Sequence, residues 1–158
     1  MGKKQAVKNL NNTMISFIFS FKPWFRKTLG AIYLAALVII SLMPARDLPH
    51  IAAFTSFDKA AHFIMYLGLS FLVCWGLDLR RIRMRPIYLL LSGVFLWGVL
   101  MEILQRTMHN GRNFDFRDMI ANLAGAWVGI LIYRYFDKLR AKTDEKPASN
   151  KSAVESMN

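Results

Sequence analysis

Four apolar stretches, separated by short polar segments rich in arginine and lysine, constrain this chain more than any other feature. They run from about 28 to 43 (TLGAIYLAALVIISLM), 57 to 77, 86 to 104 and 118 to 136. A helix that crosses a bilayer needs about 20 mostly apolar residues, within a range of about 17–25. In hydrocarbon the backbone must bond to itself, so such stretches become helices rather than open strands. The expected fold is therefore all-α, a polytopic membrane protein built as a four-transmembrane-helix bundle.

Composition supports this and excludes one alternative. Of 158 residues, 54% are hydrophobic, yet the formal net charge is +11. A soluble nucleic-acid binder would spread that charge over a folded surface. Here it is confined to the gaps between apolar runs, which is the membrane pattern. The implied electrostatic partner is the lipid bilayer, with no nucleic acid. The lone cysteine, Cys74, falls inside an apolar run, so there is no disulfide framework and it reads as a small core residue.

Helix signals mark the starts. Ser56 can cap the second span, Pro86 suits the first turn of the third, and Asp115 can cap the fourth, with Asp118 three residues on. The first span has a long basic lead and a poor cleavage site at Met43-Pro44-Ala45. It is accordingly read as a retained helix rather than a signal peptide. Residues 1–27 form a basic cytoplasmic or interfacial segment, in which Met14–Phe21 is apolar but too short to span. Residues 28–137 form the membrane domain. Residues 138–158 are polar and expected to be a disordered cytoplasmic tail.

With four crossings, all but five of the 21 lysines and arginines fall on one side. The five are Arg46, Lys59, Arg106, Arg112 and Arg117. The excess marks the cytoplasmic face. Both termini are expected there, and the loops 44–56 and 105–117 face outward.

The remaining ionisable residues gather at the outward end. The second span begins Asp58-Lys59 with His62 a turn deeper, and the third ends Glu102-x-x-Gln105-Arg106. Arg112, Asp115, Arg117 and Asp118 lead into the fourth, with Asn122 a turn in. At 1.5 Å per residue, Glu102 lies about 24 Å along its helix from Pro86, about one turn below the far boundary. Two stacked layers follow: a deeper one of His62, Glu102 and Asn122, and an upper one of Asp58, Lys59, Gln105, Arg106 and Asp118. The i, i+4 spacing places Asp58 with His62, and Asp118 with Asn122, on single faces. These faces should point inward, because a charge in lipid costs about 2.5–3.5 kcal/mol even on insertion scales. Ala121, Gly125 and Gly129 offer a small-residue stripe against which a neighbouring backbone can close.

Ser41-x-x-Pro44, Asp58-Lys59-x-x-His62, Glu102-x-x-Gln105, Arg112 and Asp118-x-x-x-Asn122-x-x-Gly125-x-x-x-Gly129 together resemble the VanZ-like membrane protein family, over Ser41 to Gly129. The resemblance implies a small multi-pass protein of the bacterial plasma membrane and cell envelope. It also implies a link to resistance against the glycopeptide antibiotic teicoplanin. It names no reaction, and leaves open whether the chain is an enzyme.

The residue types suit proton transfer beside an anionic headgroup at the outer leaflet. His62, Glu102 and Asp118 are the candidate catalytic groups, and Asp58, Lys59, Gln105, Arg112 and Asn122 the candidate ligand-binding ones. In that reading His62 or Glu102 carries the proton, and Arg112 and Lys59 clamp the anion. Such a ligand would be an envelope lipid or lipid-linked cell-wall intermediate. A metal on His62, Glu102 and Asp118 lacks a recognised ligand spacing, so no metal or cofactor is assigned. The alternatives are a non-catalytic scaffold or ligand-binding protein and, third, a small transporter. The span middles carry few polar groups for a transport path.

Overall fold

The computed structural model describes residues 2–43, 55–79, 84–107 and 115–144. They form five helices: α1 Gly2–Ser20, α2 Pro23–Leu42, α3 Thr55–Gly76, α4 Met84–Thr107 and α5 Phe116–Asp144. No strand occurs among the described residues. Four of the helices are long and apolar enough to cross a membrane, over Pro23–Leu42, Asp58–Gly76, Ile87–Leu104 and Phe116–Thr143. The chain is a four-helix membrane bundle with one additional helix, α1.

The tightest seam joins α3 to α5. A Cβ at Gly125 would overlap the backbone oxygen of Phe63, and one at Gly129 the backbone oxygen of Leu67. Glycine at both places lets the backbones touch, as the small-residue stripe predicts. In the same seam Ser70 Oγ donates to the Ala126 carbonyl at 2.9 Å. α2 lies on the other side of α3, where the Tyr33 hydroxyl donates to the Met65 carbonyl at 3.0 Å. Leu37, Tyr66, Leu69, Val94 and Ala126 form the core at that level. Large apolar side chains such as Ile32, Ile39, Leu89 and Leu96 remain exposed and face the hydrocarbon.

α1 runs well beyond the apolar segment 14–21 and packs on the late half of α5. Ile15 and Phe19 are buried with Cys74, Trp75, Ile130 and Tyr133, whereas Met14 and Phe17 face outward. The Trp75 indole donates to the Ile18 carbonyl at 3.2 Å.

Three boundaries differ from the sequence reading. α2 begins at Pro23 rather than near 28, with the proline in its first turn where the missing N–H costs nothing. Arg26, counted among the flanking basic residues, is consequently inside the helix and only 4% exposed. α3 begins at Thr55, so Ser56 lies within the helix instead of capping it. α5 continues to Asp144, so residues 138–144 are helical where a disordered tail was expected. Tertiary contacts hold that extension: Arg140 bonds Asp78 at 3.1 Å and lies over the Phe19 ring, and the Thr143 hydroxyl donates to the Asn12 amide oxygen at 3.3 Å. The expectations for Pro44, for the outward loops and for residues 145–158 lie outside the described residues.

Candidate functional site

The polar end of the bundle is where α3 and α5 begin and α4 finishes. Asp115 stands immediately before α5, and its Oδ1 accepts the Arg117 N–H at 2.8 Å, closing the first turn as an N-cap does. That bond and then the Lys59 ammonium hold the Asp115 carboxyl below the usual carboxylate range. Lys59, one residue past Asp58 on α3, donates to Asp115 Oδ2 at 3.0 Å and to Asp118 Oδ1 at 3.4 Å. It thereby ties the start of α3 to the start of α5.

His62 sits one turn deeper. Its Nδ1 is 3.1 Å from Asn122 Oδ1. With the amide oxygen accepting, Nδ1 carries the proton and Nε2 is left with a lone pair. Nε2 is 3.9 Å from Asp58 Oδ1 and 3.9 Å from Asp118 Oδ2. The pairs Asp58 with His62 and Asp118 with Asn122 do share faces, and those faces meet across the glycine seam.

Gly98 of α4 lies against this arrangement: a Cβ there would stand 3.4 Å from the Asn122 amide nitrogen, about an ordinary contact. Glu102, one turn further along α4, is 4% exposed and close enough to Tyr66 to act on it electrostatically. The carboxylate that joins Asp58 and His62 is Asp118: donor atoms of these three all lie within 4.8 Å of one another. Asp118 is as buried as His62, at 7% and 6% exposed, and lies between the Lys59 ammonium and the His62 ring.

Not every expected member is brought together. Arg106 is exposed at the end of α4. Arg112 and the side chain of Gln105 lie outside the described residues. The ammonium of Lys59 is engaged by two carboxylates, so the positive charge expected to clamp an anion is already matched. Two participants went unrecognised in the sequence as site residues. Asp115 was assigned only a capping role, and Tyr66 reads as one more aromatic of an apolar span. Ser41, also part of the recognised motif, is buried near the end of α2.

Comparison with known proteins finds a family and a relative. A family model described as VanZ/LLP1 matches residues 7–137, reaching back over most of α1. The uncharacterized protein C11E3.10 of Schizosaccharomyces pombe is 31% identical over 118 residues, which is 73% of this chain and 68% of that protein. No solved structure matches.

Proposed function

This chain belongs to the VanZ/LLP1 family, and we propose that it receives the headgroup of an envelope lipid or lipid-linked cell-wall intermediate at the His62 end and acts on it by proton transfer. One observation carries the reading. His62, Glu102, Asp118 and Asn122 are each less than a tenth exposed at one end of a membrane bundle. Ionisable groups in such positions are costly to insert and occur mainly where they work.

The roles follow from the geometry. Nε2 of His62 is the atom that can take a proton, because Nδ1 is committed to Asn122. Asp118 and Asp58 stabilise the imidazolium that results. Glu102 approaches from α4 as the second proton carrier. Asn122 and Lys59 position these groups and hold the two helices in register. By the charge distribution, the site opens to the outer face of the membrane and both termini are cytoplasmic; the resemblance makes that membrane a bacterial plasma membrane. The resemblance adds a role in tolerance of glycopeptides such as teicoplanin.

The test is to express the wild type, His62→Ala and Glu102→Gln in a teicoplanin-sensitive bacterium. The inhibitory concentration and the lipids retained by each purified protein are then measured. The wild type should raise the inhibitory concentration and retain a polar lipid, and both variants should lose these effects at unchanged membrane abundance. Equal protection by the variants would defeat the reading. Loss only in variants that fail to accumulate would favour a scaffold instead.

A further inference from the structure

We propose that Asp58, His62 and Asp118 form a site for a divalent cation of the Zn2+ or Mn2+ kind. The proposal deepens the headgroup reading and rests on it for the purpose of the ion; with the ion bound, Nε2 is a ligand and the proton-carrying role falls to Glu102.

The first argument is convergence. Two carboxylate oxygens and an imidazole nitrogen, from two helices, lie within 4.8 Å of one another. Each nitrogen–oxygen separation is 3.9 Å. Hydrogen bonds of this type span about 2.7–3.2 Å, so these groups are not bonded to each other. Ligands at about 2.0–2.2 Å from a tetrahedral ion stand roughly 3.4 Å apart. Small side-chain rotations would therefore bring the three donors onto one ion.

The second argument is the state of His62. Its side chain is 8% exposed, and Nε2 makes no hydrogen bond among the described residues while aiming between two carboxylates. The other ring nitrogen is tied to Asn122 at 3.1 Å. An imidazole fixed through one nitrogen by a polar partner, with the other presented as a lone pair, is the arrangement that metal-binding histidines adopt. Two carboxylates and an imidazole nitrogen turned to one point favour a positive charge there, met by a metal ion or by a proton on Nε2. Asp118 keeps an oxygen for that point, because only Oδ1 is turned to Lys59.

Donor chemistry sets the class of ion. Two carboxylates and an imidazole suit Zn2+ or Mn2+, and the one thiol of the sequence, Cys74, is buried in the core toward the other end. Three protein ligands leave coordination positions open, as catalytic sites do. An anionic headgroup could then bind through its phosphate oxygens, at a site whose lysine is already matched by carboxylates.

The experiment uses the full, untagged chain in lipid nanodiscs, stripped with EDTA and titrated calorimetrically with ZnCl2 and with MnCl2. One ion per chain is expected. His62→Gln and Asp118→Asn should each weaken binding by roughly 100-fold or more, and Asn122→Ala by roughly 10- to 100-fold as an outer partner. Glu102→Gln should bind as the wild type does. No saturation near one ion per chain, or undiminished binding by His62→Gln and Asp118→Asn, would overturn the proposal. Should those variants not fold, the wild type alone decides: its thermal midpoint must rise with Zn2+ or Mn2+ relative to EDTA, and an unchanged midpoint counts against the site. Retention of the headgroup lipid by a protein that takes up no metal would sink the metal proposal and leave the headgroup reading standing. Stoichiometric metal binding without any retained lipid would do the reverse.

Discussion

Arg26 on α2 and Asp78 just after α3 face each other at 3.6 Å, at the end of the bundle opposite His62. Arg26 also donates to the Trp75 carbonyl at 3.1 Å, and its guanidinium lies over the Trp75 ring. Asp78 adopts a left-handed backbone with φ 49°, which turns the chain out of α3, and it takes a second arginine, Arg140, from α5. Three helices are thus pinned at one point. Arg26→Met should lower stability by about 2–3 kcal/mol. That is less than the 3–5 of a fully buried pair, because Arg140 stays on Asp78. Thermal unfolding in detergent would measure it, and an unchanged midpoint would contradict the pinning role.

The glycine seam gives a sharper contrast. Gly125→Ala places a methyl against the Phe63 backbone, which cannot rotate away, and should cost about 1–3 kcal/mol or more. Gly93→Ala meets nothing within 4 Å and should be neutral or stabilising by about 0.5–1 kcal/mol, as alanine is in a helix. The pair is to be compared by thermal unfolding under identical conditions.

Ser70→Ala removes the hydroxyl that reaches the Ala126 carbonyl. Interhelical hydrogen bonds in membranes average about 0.6 kcal/mol, so a small loss of that order is expected in the same assay. A loss several times larger would mean that α3 and α5 had shifted.

Lys59→Met should lower stability at neutral pH, since Asp115 and Asp118 both lose their ammonium partner. Because the Asp115 carboxyl is held low in the folded protein, its contribution is present above the ordinary carboxylate pKa of about 3.9. It is lost as pH falls through the lowered folded value. The gap between wild type and variant should therefore stay level from neutral pH down to about 5 and narrow below about 4. A gap that widens on acidification would show that the Lys59–Asp115 contact is not its source.

Orientation is checked by labelling. In a Cys74→Ser background, His50→Cys should react with a membrane-impermeant maleimide from outside intact cells, and Ile82→Cys only after lysis. The reverse pattern would invert the assigned topology.

Hydropathy alone made the four spans legible, because about 20 apolar residues have few other fates. The ends were less so. Polar residues 138–144 give no local reason to continue a helix; Asp78 and Phe19, more than fifty residues away, hold Arg140 there. Within the site, helical spacing disclosed the Asp58–His62 and Asp118–Asn122 faces, and small-residue spacing disclosed the seam between them. Spacing could not say which carboxylate Lys59 would choose, because that depends on how α3 sits against α5. For the same reason spacing could not show that Asp58, His62 and Asp118 would bring their ligand atoms within 4.8 Å of one another.

The seam at Gly125 and Gly129 has a mechanical consequence. Asp58, Lys59, His62, Asp118 and Asn122 all stand on the two helices it joins, with Asp115 at the threshold of one of them. Tilting α2 or α4 to suit a thinner or thicker bilayer leaves their mutual distances alone. Sliding α3 past α5 by one helical turn, about 5.4 Å, would break every contact that crosses the seam at once. These six residues thus tolerate changes in the surrounding membrane and respond to shear along a single line, while Glu102 moves with α4.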